Sequence, residues 1–194
     1  MSVIPAWNNQ GILPPIRPGR AAGHRDRTPY RSDIVHFVER FALNQTRIKL
    51  LEGLLKYRKA LHTIGFIDGF QWIDGSFAEH VEMTAGRDPR DIDCVTFYAM
   101  PDGENETSLY EKYPLIFDHS EVKSQFHVDS YYIDIADSFS HELLDDLTYW
   151  YSMWSHNRDL AWKGFIQLEM NPAQDENANI LLEKIKAENS YEHP

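Results

Sequence analysis

The sequence predicts an α+β fold, on three observations. Apolar residues recur at helical spacing in several stretches, as at Ile34, Phe37, Val38 and Phe41. Short runs rich in β-branched and aromatic residues, such as Val95-Thr96-Phe97-Tyr98, stand between those stretches. No internal repeat or low-complexity tract interrupts the mixture, which argues against a solenoid or a linker-rich chain. The expected architecture is a small mixed β-sheet backed by helices.

The first element is an extended, basic, proline-rich arm over residues 1–31, followed by a single domain over residues 32–194. Pro5, Pro14, Pro15, Pro18 and Pro29 exclude a regular helix from the arm. It carries Arg17, Arg20, Arg25, Arg27 and Arg31 against the single acid Asp26, about +4 by count. With a net charge of −11, the remainder is then near −15 (−11 less +4). So acidic a body is a poor platform for nucleic acid, whose affinity comes from cations meeting phosphates. It suits a protein or small-molecule partner. The arm could touch phosphate or RNA, but packing onto the acidic body is its simpler use.

Ser32 or Asp33 is placed to cap a helix through about Leu43. Thr46 is expected to cap a second helix through about His62, ended by Gly65. A strand follows over Phe70–Ile73, then a turn at Asp74-Gly75-Ser76 and a short helix over Phe77–Met83. A polar loop at 85–90 leads into a strand from Ile92 to about Met100. Residues 101–107 read as a turn-rich loop, and Leu109–Phe117 fits either state. His127–Ile135 reads as a third strand, His141–Ser155 as a helix, and Lys163–Met170 as a fourth strand. A last amphipathic helix opens near Pro172 and Asp175.

Composition narrows the function classes. The single cysteine, Cys94, excludes an internal disulfide and a cysteine-based zinc cage, and fits a cytoplasmic location. Pro5, Trp7 and Asn8 stand where a signal peptide needs an apolar run. No stretch approaches the roughly 20 apolar residues of a membrane span. Nine histidines form no H-E-x-x-H pair; His141-Glu142 lacks the second histidine.

The chemistry-bearing stretch runs from Gly69 to Phe97. Asp91 and Asp93, at i and i+2 on a strand, point to one face, with Ile92 turned to the core. Such a pair can hold one or two magnesium ions, about 4 Å apart where there are two. A third carboxylate is expected from the neighbouring strand. Asp129 and Asp134 lie on opposite faces because their spacing is odd, and Asp129 is preferred for its early position in the strand. Asp129 would bind metal and help deprotonate an incoming hydroxyl. Gly75 lets the backbone approach a ligand closely. Ser76, at an expected helix start, offers a hydroxyl beside free N–H groups for phosphate. Arg158 or Lys163, at the end of the helix from His141, is placed to hold triphosphate oxygens or to compensate the helix C-terminus. Of Tyr149, Trp150, Tyr151, Trp154 and Trp162, one ring could stack on a base, while Trp150 and Trp154 are core by their spacing. Cys94 is read as a buried small side chain. Asp74, Glu79 and Glu82 read as ordinary surface acids.

At Gly75-Ser76, Asp91-Ile92-Asp93 and Asp129 the chain resembles the DNA polymerase β-like nucleotidyltransferase superfamily, over about residues 66–136. More loosely, IPAWN, GILPPI, QWIDGSF, DIDCVTF, FHVDSYY, TYWYSMWSH and WKGF resemble an uncharacterised bacterial family within it. The resemblance implies the polymerase β-like fold, with magnesium or manganese and a nucleoside triphosphate such as ATP at the edge of the sheet. It also implies transfer of a nucleoside monophosphate to a hydroxyl of a protein or RNA acceptor, often in a toxin–antitoxin or defence setting. Fourteen residues separate Ser76 from Asp91, longer than in the small members, and the added loop carries Arg87 and Arg90. A non-catalytic partner-binding module on the same fold is the alternative. A metal-dependent hydrolase or glycosyltransferase using the Asp-x-Asp is a third reading.

Overall fold

The computed structural model describes residues 4–135 and 140–191. In chain order its elements are β1 (Tyr30–Ser32), α1 (Ile34–Phe41), α2 (Gln45–Thr63), β2 (Gly69–Asp74), α3 (Val81–Ala85) and β3 (Ile92–Tyr98). There follow α4 (Glu106–Lys112), α5 (Pro114–Phe117), α6 (His119–Phe126), β4 (Val128–Asp134), α7 (His141–Trp154), β5 (Ile166–Glu169) and α8 (Pro172–Tyr191). The mixed α+β class holds. The strands form one sheet in the order β1-β5-β2-β3-β4. β2 pairs antiparallel with both β3 and β5, while β1–β5 and β3–β4 are parallel. A parallel pair needs a crossover, and α4, α5 and α6 supply it between β3 and β4.

Side chains with free oxygens set the helix starts. The Asp33 carboxylate accepts the His36 N–H at 2.8 Å and opens α1. Asn44, rather than Thr46, caps α2 by accepting the Arg47 N–H at 2.9 Å. Thr46 instead donates to Asp88 at 2.9 Å and ties the polar loop down. Ser140 opens α7 through the Leu143 N–H at 3.0 Å.

Alternate residues of the strands feed two cores. Ile73, Ile92, Cys94, Val128, Ile166 and Leu168 join the apolar faces of α1, α2 and α8 on one side of the sheet. Trp72, Val95, Phe97 and Ile133 join Trp150 and Trp154 of α7 on the other. The first core holds a buried polar knot. Arg58, fully buried, donates to both oxygens of Asp175 at 2.8 Å and to Gln71 at 2.6 Å, and His62 stands 2.9 Å from the same carboxylate.

The arm packs on the rest of the chain through Ile4, Ile12 and Leu13, all buried. Its last residues do more than pack. Tyr30–Ser32 join the sheet as the strand β1, so the sheet has five strands where four were read. Three residues are too few to show a period of two. The first three residues of the arm and the last three of the chain lie outside the described residues. Among the described residues no helix is long and apolar enough to cross a membrane.

Candidate active site

Strand phase brings the predicted carboxylates together. Asp93 is the cross-strand partner of Asp129 on β4 and of Asp74 on β2. Facing residues in register share a sheet face, so Asp74, Asp93 and Asp129 form one row across three strands. Asp91, just before β3, joins the same end. Asp134 sits one odd step out of phase, on the face opposite Asp129. The preference for Asp129 therefore has a geometric basis. Ile92 is fully buried in the core, as read.

Asp74 is not the surface acid that the sequence suggests. It is 3% exposed, and its carboxylate accepts a hydrogen bond from the Lys163 ammonium, itself 2% exposed. Burial pushes Asp74 up to about 7, against the pull of Lys163 and with a further push from Asp93. Glu79 stands 3.5 Å from the same ammonium. Glu82 is no ordinary surface acid either, since it pairs with the fully buried Arg47 at 2.5 Å. Burial pushes Asp93 up to about 6, reinforced by the Asp91 and Asp129 carboxylates and opposed by Lys123 and Lys163.

Gly75 closes the row from above. It has φ +74, and a Cβ there would overlap the Asp93 carboxylate, so only glycine lets this backbone lie against that side chain. Ser76 does not start a helix. Residues 76–80 are turns, and α3 begins only at Val81. The reason is competition for carbonyls. Arg47 donates to Phe77 O at 2.7 Å and to Glu79 O at 2.6 Å, while the Trp7 indole donates to Ala78 O at 2.6 Å. These carbonyls face α2 and the arm and are lost to helical bonding. The His80 N–H donates to Gly11 O at 2.7 Å, a second tie from the arm.

The remaining predicted residues divide. Lys163 reaches the row as the counter-ion of Asp74. Arg158 is exposed in the turn after α7 and makes no hydrogen bond or ion pair among the described residues. Trp150 and Trp154 are core; Tyr149 is exposed, and so is Trp162, with Arg27 above its ring at 5.6 Å. Burial pushes the Cys94 thiol up to about 12, which leaves it inert as a nucleophile. A cavity of about 690 Å³, lined by Tyr98, Glu106, Leu109, Phe117 and Tyr132, lies at the opposite end of β3.

Lys123 was not singled out in the sequence. Its ammonium sits 2.8 Å from Asp91 and 2.7 Å from Asp129, bridging the two carboxylates. Bonds to Asp129 and then Asp91 hold its pKa above the ordinary lysine range. The other oxygen of Asp129, Oδ1, is buried without an aligned hydrogen bond, and His119 Nε2 lies 3.3 Å from it.

A model of a protein family matches residues 5–169, a span that contains the row, Lys123 and Lys163. The chain belongs to the family of unknown function DUF6932. The DUF6932 match stops short of α8, which supplies Asp175 to Arg58. No curated protein and no solved structure matches the chain.

The donors this DUF6932 chain gathers at the row are all carboxylate oxygens. Oxygen ligands from Asp91, Asp93 and Asp129 are the type magnesium and manganese take. A cation, the Lys123 ammonium, already stands between two of them, and Asp129 keeps a buried oxygen without an aligned donor. Among the described residues no three His, Cys, Asp or Glu side chains close on a common point as metal ligands.

Proposed function

We propose that this protein is a metal-dependent nucleotidyltransferase that moves a nucleoside monophosphate from a nucleoside triphosphate to a hydroxyl of a protein or RNA acceptor. The observation that carries the reading is the register row of Asp74, Asp93 and Asp129, with Asp91 beside it and Gly75 closed over Asp93. The resemblance at Gly75-Ser76, Asp91-Ile92-Asp93 and Asp129 supports it.

In this reading Asp91, Asp93 and Asp129 would hold magnesium or manganese, which when bound would supply positive charge against the phosphates. The Ser76 hydroxyl and the backbone beside Gly75 face the triphosphate. The Asp129 carboxylate would help deprotonate the incoming hydroxyl. Lys163 stays with Asp74, and Arg158 is free to reach phosphate from its turn. The acidic body favours a protein acceptor, and the basic arm provides for RNA. We place the protein in the cytoplasm, where nucleoside triphosphates and magnesium are at hand, in a bacterial toxin–antitoxin or defence role.

The test is label transfer from each of the four α-labelled nucleoside triphosphates, with magnesium, into total cell protein and RNA. Label is expected with the intact chain and not with Asp91→Asn/Asp93→Asn. Equal transfer by Asp93→Asn would refute the metal assignment.

One observation favours a second reading, a non-catalytic partner-binding module. Lys123 neutralises Asp91 and Asp129 within the chain itself, as a site kept for structure would require. That reading expects partner binding to survive Asp91→Asn and Asp93→Asn.

A further inference from the structure

The carboxylate row has two lysines, and they are held very differently. Lys163 is 2% exposed and locked on a buried partner. The Lys123 side chain is 43% exposed and reaches in from α6, a helix whose one buried residue is Val122. Its long stem can swing to solvent without opening a core. Yet its ammonium lies within 2.8 Å of Asp91 and 2.7 Å of Asp129, the two carboxylates a divalent ion would have to share. A single point between two carboxylate oxygens cannot hold both cations.

The geometry points to Lys123 as a built-in cation that competes with a divalent metal ion for Asp91 and Asp129. Metal enters only by displacing the ammonium. This rests on the nucleotidyltransferase reading of the row. The competition keeps affinity for the bare ion low. A polyphosphate arriving with the ion would give the displaced ammonium new oxygens to meet, so metal and triphosphate would bind better together than apart. His119, on the same helix, stands 3.3 Å from Asp129.

The experiment titrates the full chain with Mn²⁺ alone and reads free Mn²⁺ from its paramagnetic resonance signal. Lys123→Met removes the charge and keeps the stem. It is expected to bind Mn²⁺ at least about tenfold more tightly than the native chain, because two opposing ion pairs and a nearby like charge are gone. Lys123→Arg keeps the charge and is expected to stay as weak as the native chain. Adding Asp93→Asn to Lys123→Met is expected to abolish the gain. Unchanged or weaker binding by Lys123→Met would overturn the proposal, and native binding lost in Asp93→Asn would then leave the metal site standing. Equal tightening by Lys123→Arg, or a gain that survives Asp93→Asn, would also overturn it. Absence of Mn²⁺ binding in every variant would overturn the proposal and the metal-site reading together.

Discussion

Replacing Lys163 by methionine separates two roles that the same residue can play. As a phosphate ligand only, it would add nothing to the stability of the ligand-free protein. As the counter-ion of Asp74 it is part of the fold. The structure sets the magnitude. Both partners are nearly fully buried, at 2% and 3% exposure, and the next acid, Glu79, is 3.5 Å from the ammonium. Removing one member of so buried a pair strands the other and costs about 3–5 kcal/mol. For a chain of this size each kcal/mol lowers the melting temperature by about 2–4 °C, so Lys163→Met is expected to melt roughly 6–20 °C lower. Methionine keeps most of the stem volume, which confines the effect to the charge. The partner substitution Asp74→Asn removes the stranded carboxylate, and the double variant is expected to regain at least about half of the loss. Urea denaturation of the four proteins without nucleotide or metal completes the cycle. A loss under about 1 kcal/mol in Lys163→Met, or no recovery with Asp74→Asn, would refute the structural role and return Lys163 to the phosphate.

Two further predictions concern other parts of the same end and the core behind it. Gly75→Ala is expected to cost about 1–2 kcal/mol from the left-handed backbone alone and to abolish label transfer, because its Cβ takes the place of the Asp93 carboxylate; urea denaturation and the transfer assay read the two effects. Asp175 is held below its ordinary pKa, where burial is outweighed by the hydrogen bonds from His62 and Arg58. The unfolded chain then binds the extra proton, so this stability is full above the ordinary carboxylate range and is lost as pH falls below about 4. Asp175→Asn should cost about 3 kcal/mol near neutrality and flatten that part of the acid unfolding curve.

The strand-borne part of the site was legible in the sequence because it depends on parity. Asp91 and Asp93 two apart, and Asp129 and Asp134 an odd distance apart, already state which side chains can share a face. The core aromatics of α7 followed from their spacing in the same way. What was not legible depends on partners far along the chain. Asp74 ends a strand at a Gly-Ser turn and looks exposed, yet its counter-ion lies 89 residues later. The expected helix from Phe77 loses its first turn because Arg47 and Trp7, 30 or more residues earlier, capture its carbonyls. α6 shows only a weak stripe, with Val122 alone buried, so Lys123 carried no signal of a place near the aspartates. The segment read as a turn-rich loop becomes helical at Glu106 because Asn105 caps it through the Ser108 N–H at 3.0 Å.

The arm and α2 hold the turn after Gly75 through Trp7, Gly11 and Arg47, and that turn fixes the backbone against Asp93. The geometry of the row is therefore set from behind, by contacts that involve no carboxylate of the site. Its charge is set from the sides, by two lysines of unequal freedom. Lys163 cannot leave without stranding a buried acid, so its charge belongs to the fold. Lys123 can leave into water, so its charge is exchangeable. The row and Asp91 beside it thus keep one fixed and one replaceable cation, and under the proposed metal reading the replaceable one would give way to a stronger cation. The cost of that arrangement falls on Asp93. Half-buried, with the Asp91 and Asp129 carboxylates beside it, it has its pKa raised to about 6.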